Sequence, residues 1–206
     1  MNLKLQNGTM LPLMEDFYSI QGEGFYSGSP AYFLRIGGCD VGCSWCDVKE
    51  SWDAHKHPLT EVDVMISKIL KYPCDTVVVT GGEPLMWDMT YLTQSLREKK
   101  INTHLETSGS HKLTGEWDWI CLSPKKWQEP LLEIIPFVNE LKIIIKNKHD
   151  FIWAEEQKKN ISKICKPYLQ PEWNKKEKIM PTIVDYVMKN PEWNISLQTH
   201  KYLQIP

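Results

Sequence analysis

With 206 residues, 42% apolar and 24% charged, the chain has an ordinary globular composition and is long enough for one domain with a real core, residues 1–206, but short for two. A net charge of −2 gives no electrostatic case for nucleic acid or an acidic membrane surface. There is no run of about 18 apolar residues to span a membrane, and Met1–Leu13, with one Lys and no long apolar stretch, does not read as a signal peptide, so a cytoplasmic protein is expected.

The first chemistry-bearing text is Phe17-Tyr18-Ser19-Ile20-Gln21-Gly22-Glu23-Gly24, ahead of a first predicted strand at 31–36 that contains Arg35. Gln21 donates and accepts, Glu23 accepts, and Arg35 can grip a carboxylate with two parallel bonds, a set suited to a small polar heterocycle bearing a carboxylate. The plainer alternative is a glycine turn with surface polar residues and an arginine lying along its strand. Cys39, Cys43 and Cys46 follow at once. Residues 61–72 then carry Val62, Met65, Ile66, Ile69 and Leu70 at helical spacing, with Thr60 as N-cap. A strand at 76–80 runs into Thr80-Gly81-Gly82-Glu83-Pro84, where glycines admit a ligand close to the backbone and Glu83 can accept from an ammonium group. By itself such a Gly-Gly exit is a common turn.

A helix at 88–99 places Leu92 and Leu96 on one face. The strand at 101–106 exits into Thr107-Ser108-Gly109, and the strand at 119–122 into Ser123-Pro124-Lys125. A strand at 140–145, a helix at 150–164, a strand at 168–170 ending in Gln170-Pro171 and a helix at 178–188 complete the alternation. Residues 194–203 read as a final strand, because Ile195, Leu197 and Thr199 alternate with polar neighbours. Six apolar strands separated by helices predict an α/β fold, an incomplete, open parallel β/α barrel with chemistry at the carboxyl ends of its strands.

Three of the six cysteines fall within eight residues; Cys74, Cys121 and Cys165 stand apart and read as small buried apolar residues. In Cys39-x3-Cys43-x2-Cys46, three thiolates from one compact loop can reach three irons of a cubane cluster. Without a fourth cysteine nearby, one iron is left for a non-protein ligand. The alternatives are chance and a zinc site, for which only His55 and His57 lie near.

This spacing, with Trp45 before the last cysteine, resembles the radical S-adenosylmethionine superfamily. The resemblance implies a 4Fe–4S cluster whose open iron chelates S-adenosylmethionine, which is cleaved by one electron to a 5′-deoxyadenosyl radical that takes a hydrogen atom from the substrate. Ser-Ile-Gln-Gly-Glu-Gly, Arg35, Thr-Gly-Gly-Glu-Pro, Ser-Pro-Lys and the closing Gln198-Thr199-His200-Lys201-Tyr202-Leu203 together resemble the 7-carboxy-7-deazaguanine synthase family from about Asp16 to the last residue. That family implies conversion of 6-carboxy-5,6,7,8-tetrahydropterin to 7-carboxy-7-deazaguanine with loss of ammonia, feeding queuosine and other 7-deazapurines. It also implies Mg2+, a one-electron donor such as flavodoxin or ferredoxin, and a homodimer.

Carried over by residue, Gln21, Gly22, Glu23, Arg35 and Thr80 would face the pterin. Cys39, Cys43 and Cys46 would hold the cluster. Trp45, Gly82, Glu83, Ser123, Pro124 and Lys125 would contact S-adenosylmethionine, with Thr107, Ser108 and Gln170 beside it. No side chain is expected to be catalytic in itself, since the cofactor carries the chemistry. His200 and the α-carboxylate of Pro206 are expected in the same pocket. One departure stands out: Val48 occupies the position of a family Thr or Ser whose hydroxyl ligates Mg2+, and it has no ligand atom. A glycyl-radical activating enzyme would share the cysteine signature without needing Gln21–Gly24 or Arg35, and an iron–sulfur electron carrier would need a fourth ligand.

Overall fold

Six apolar runs form parallel strands, as the sequence predicts, in the computed structural model, which describes residues 7–206. The reading of residues 1–6 as free of a targeting signal lies outside the described residues. In chain order the elements are β1 (Met10–Ile20), β2 (Pro30–Ile36), β3 (Leu59–Glu61), α1 (Val62–Ile69), β4 (Thr76–Gly81), α2 (Thr90–Glu98) and β5 (Asn102–Thr107). They continue with β6 (Trp119–Leu122), β7 (Glu140–Ile145), α3 (His149–Lys158), β8 (Lys166–Pro171), α4 (Lys176–Lys189), β9 (Asn194–Ile195) and α5 (Thr199–Leu203). The nine strands make one sheet in the order β3-β1-β2-β4-β5-β6-β7-β8-β9. From β2 to β9 every pairing is parallel; β1 pairs antiparallel with β2 and β3.

Side chains alternate across each strand, and the two faces differ in kind. Outward, Val77, Val79 and Leu34 pack with Met65, Ile69, Leu92 and Leu96 of α1 and α2. Leu141, Ile143, Ile145 and Leu169 pack with Phe151, Ile179 and Ile183 of α3 and α4. Inward, the same strands carry Arg35, Thr80, Glu106, Lys142 and Gln170, all on the wall of one cleft. The apolar runs are therefore core on the helix side, while the cleft side mixes these polar residues with Phe33 and Ile144.

The barrel stays open, with β3 and β9 as its edges. The loop after β1 and the segment after β9 span the gap. Gly24 N–H donates to Ser196 Oγ at 2.9 Å, and Thr199 N–H and Oγ1 both donate to Gly22 O, at 2.8 and 3.0 Å. Ser19 Oγ donates to Pro206 O at 3.2 Å.

The structure corrects several expectations. Residues 194–203 are not one strand: only Asn194 and Ile195 pair, with Tyr168 and Leu169, before Thr199 turns onto Gly22 and a short helix begins. Past Leu169, β8 has only Gln170 and Pro171 left, and Pro171 has no N–H with which to carry the ladder on to Leu197 and Thr199. Phe17–Ile20 belongs to an eleven-residue strand, β1, so the strand predicted first, at 31–36, is the second. Thr60 lies in β3 opposite Leu11; Glu61 caps α1, without a side-chain bond. The helix predicted at 150–164 ends at Lys158. Among the described residues no helix is long and apolar enough to cross a membrane.

Candidate active site

A cleft of about 720 Å³ opens at the carboxyl ends of the parallel strands. Every residue that the sequence assigns to cluster, cofactor or substrate lines it except Pro124, which is buried between Ser123 and Lys125. Residues from positions 17 to 206 thus meet at one place.

The cysteine loop follows β2 and is fixed by its backbone. Gly37 N–H donates to Pro12 O at 2.7 Å, Gly38 N–H to Ser51 O at 2.6 Å and Cys39 N–H to Trp52 O at 3.1 Å. Trp87 Nε1 donates to Gly37 O and Trp127 Nε1 to Val41 O, at 2.9 and 2.7 Å. The turn after β4 closes against this loop, with Glu83 N–H donating to Gly38 O at 2.8 Å. Gly82 permits that approach, since a Cβ there would lie 2.1 Å from Gly38 O.

The three thiols are half-buried and face the cleft. Burial pushes Cys43 up to about 11, with Cys46 and Cys39 adding to it and Lys125 opposing, and burial likewise raises Cys39. Thiols so placed become thiolates only against a strong positive charge, such as bound metal supplies. Among the described residues no three His, Cys, Asp or Glu side chains converge as they would on a single ion.

Glu83 is 2% exposed and fully engaged by protein donors. Thr107 Oγ1 and Leu85 N–H donate to Oε1 at 2.5 and 3.1 Å; Ser108 N–H and Oγ donate to Oε2 at 2.8 and 2.5 Å. The carboxylate therefore ties the exits of β4 and β5 together. Lys125 Nζ bonds both the carbonyl and Oγ of Ser123. Burial lowers its pKa, against the pull of Cys43 and Glu83.

On the other side of the cleft, Arg35 and Thr80 stand in register on β2 and β4. Glu15 Oε1 takes the Arg35 Nε–H at 2.6 Å, and the guanidinium lines the cleft. Gly22 lies under His200, whose Nδ1 would be 2.1 Å from a Cβ at that position. Burial lowers the His200 pKa, opposed by Glu23. Near Val48, Asp47 Oδ2 is held by Lys201 Nζ at 2.7 Å.

Sequence reasoning gave no site role to Glu106, Lys142 or Gln198. Lys142 Nζ lies 2.5 Å from Glu23 Oε2 and 2.8 Å from Glu106 Oε2. Gln21 Nε2 donates to Glu106 Oε1 at 3.1 Å and Gln198 Nε2 to Glu23 Oε1 at 2.9 Å. Burial alone would raise the Glu23 carboxyl, but the Lys142 ammonium and the bonds from Lys142 and Gln198 hold it at about 2. A signal was available: ionisable residues at 104, 106, 140 and 142 recur at every second position of two apolar strands.

Comparison with known proteins agrees with this arrangement. The profile of the Radical SAM superfamily matches residues 34–136. The 7-carboxy-7-deazaguanine synthase of Flavobacterium psychrophilum is 59% identical over 99% of this chain and 97% of its own length. That of Synechocystis sp. is 45% identical over 94% and 93%. The crystal structure of QueE from Escherichia coli superposes with a TM-score of 0.85 at 27% identity, covering 95% of this chain and 96% of that one.

Proposed function

The chain belongs to the 7-carboxy-7-deazaguanine synthase family of the Radical SAM superfamily, and from that premise we propose that it converts 6-carboxy-5,6,7,8-tetrahydropterin to 7-carboxy-7-deazaguanine with loss of ammonia. The family implies a 4Fe–4S cluster and S-adenosylmethionine. The observation that carries the reading is the meeting of three thiols with Gln21, Glu23 and Arg35 across one cleft.

The donor set fits the cluster: three thiols on one braced loop, with Cys121 and Cys165 buried elsewhere and Cys74 on a separate turn. Cys39, Cys43 and Cys46 would be its ligands. When bound, cluster and S-adenosylmethionine supply the one-electron chemistry that removes a substrate hydrogen atom. Gly82 would let the backbone approach the methionine end, with Glu83 bracing Thr107 and Ser108 beside it. Ser123, Pro124, Lys125, Trp45 and Gln170 would border the rest. Arg35 would hold the substrate carboxylate, and Gln21, Gly22, Glu23, Thr80, His200 and Pro206 its ring. This division keeps the cofactor on the cysteine side and the substrate on the β1 side.

Magnesium fits less well, because Val48 brings no oxygen and Asp47 is already paired with Lys201. We expect a magnesium dependence weaker than the family norm, with Val48→Thr lowering the magnesium concentration needed for half-maximal rate; saturation at low magnesium in the wild type, unchanged in the variant, would overturn the reading of Val48. A cytoplasmic homodimer reduced by a flavodoxin or ferredoxin completes the proposal. Anaerobic incubation with carboxytetrahydropterin, S-adenosylmethionine and dithionite, followed by mass spectrometry, tests it. Formation of 7-carboxy-7-deazaguanine is expected, and S-adenosylmethionine cleavage without that product would overturn the reading.

A further inference from the structure

Lys142 stands third in β7, between Leu141 and Ile143 of the core, yet points into the cleft. It is 3% exposed. Its ammonium joins Glu23 and Glu106, whose outer oxygens are steadied by Gln198 and Gln21. The nearby Glu140 is accounted for separately. Burial pushes its carboxyl up, and it takes bonds from Phe25 N–H and Trp119 Nε1 at 3.1 and 3.2 Å.

One ammonium between two carboxylates leaves a net negative charge on the cleft wall, the Lys142 side chain being 4% exposed and those of Glu23 and Glu106 15% and 24%. Each carboxylate offers about four lone-pair sites, so the pair keeps acceptor capacity beyond its protein bonds. An anionic acceptor pair in such a place is complemented by a group rich in N–H donors. Neither ion-pair partner belongs to the cysteine loop or the Gly-Gly turn.

We propose that Lys142 is a positioning residue, holding Glu23 and Glu106 side by side as acceptors for the N–H-bearing edge of a planar heterocycle in the cleft. This rests on the functional reading above, since a pterin presents that edge in its 2-amino group and adjacent ring N–H. Without the ammonium the two carboxylates repel, and one swings away or takes up a proton and becomes a donor. The carboxylate end of the ligand, at Arg35, is untouched by the change.

The test compares 6-carboxypterin with 6-carboxylumazine, in which an oxo group replaces the 2-amino donor, by titration of anaerobic, cluster-loaded protein. The wild type should prefer the pterin by about tenfold or more, the worth of a charge-assisted hydrogen bond. In Lys142→Met the preference should fall toward one through loss of pterin affinity. Lys142→Arg, which keeps the charge in a wider head, should fall between. An unchanged ratio in Lys142→Met, whether both affinities drop or neither does, overturns the proposal, as does a wild type without preference. If Lys142→Met fails to retain its cluster, a wild-type ratio in Lys142→Arg overturns it instead. Failure of the functional reading shows separately, as a wild type that binds the pterin selectively but makes no deazaguanine.

Discussion

Thr107, Ser108 and Leu85 all donate to Glu83, so a single carboxylate gathers two strand exits. Glu83→Gln puts an amide N–H₂ where those donors point. We expect a loss of about 1–3 kcal/mol in urea unfolding, the cost of leaving buried donors unmade. Glu83→Gln as stable as wild type would mean that the network rearranges freely. Glu23 sets a pH dependence. Its folded carboxyl lies at about 2 against an ordinary 4.5. The stabilisation it contributes is therefore complete above about pH 4.5 and is lost as the pH falls toward 2. The stability difference between wild type and Glu23→Gln should shrink across that window in urea titrations; a constant difference would show that Glu23 is not held ionised. At this scale the motif residues were legible because each carries its chemistry locally. Glu106 and Lys142 were not, because their meaning lies in partners 36 and 119 positions away.

The six core strands were legible because each is an apolar run bounded by turn text, and the helices because their buried faces keep a 3.6 period. Glu106, Lys142 and Gln170 interrupt those apolar runs with polar side chains that face the cleft. β1 was missed for a related reason: its later residues, Glu15 to Ile20, are only partly buried or exposed, so no apolar run marks them. The terminal helix was misread because alternation specifies a strand only where a partner edge exists. The loop that meets it is braced by Ser196, whose Oγ accepts from Gly24 N–H and donates to Gln170 Oε1 at 2.6 Å. Ser196→Ala leaves both partners unmade. We expect faster amide exchange across residues 21–27 with exchange in β4 and β7 unchanged. Equal protection of 21–27 in the variant would show that Gly24 is held by something else.

Across the whole molecule, the two main core clusters lie on the helix side of the sheet, away from the cysteine loop. That loop is anchored by backbone bonds to Pro12, Ser51 and Trp52. Stripping the cluster anaerobically with a chelator should therefore abolish S-adenosylmethionine cleavage while leaving far-ultraviolet circular dichroism and cooperative thermal unfolding in place. Collapse to an uncooperative transition would place the cluster among the groups that hold the fold together. Cys43→Ala should behave as the stripped protein does.

The seam between the loop after β1 and the segment after β9 joins residues 172 positions apart at Gly24–Ser196 and 187 apart at Ser19–Pro206. A ribosome makes the first side of that seam long before the second. While the chain is being synthesised, the wall carrying Gln21 and Glu23 has nothing to close against, and Lys142 alone cannot complete it. The parallel strands can pair in order as they emerge, each beside the one before, but the site assembles in a single late step. A product released early, even one that lacks only residues beyond 195, retains its cysteines and most of its core and has no finished pocket for a substrate.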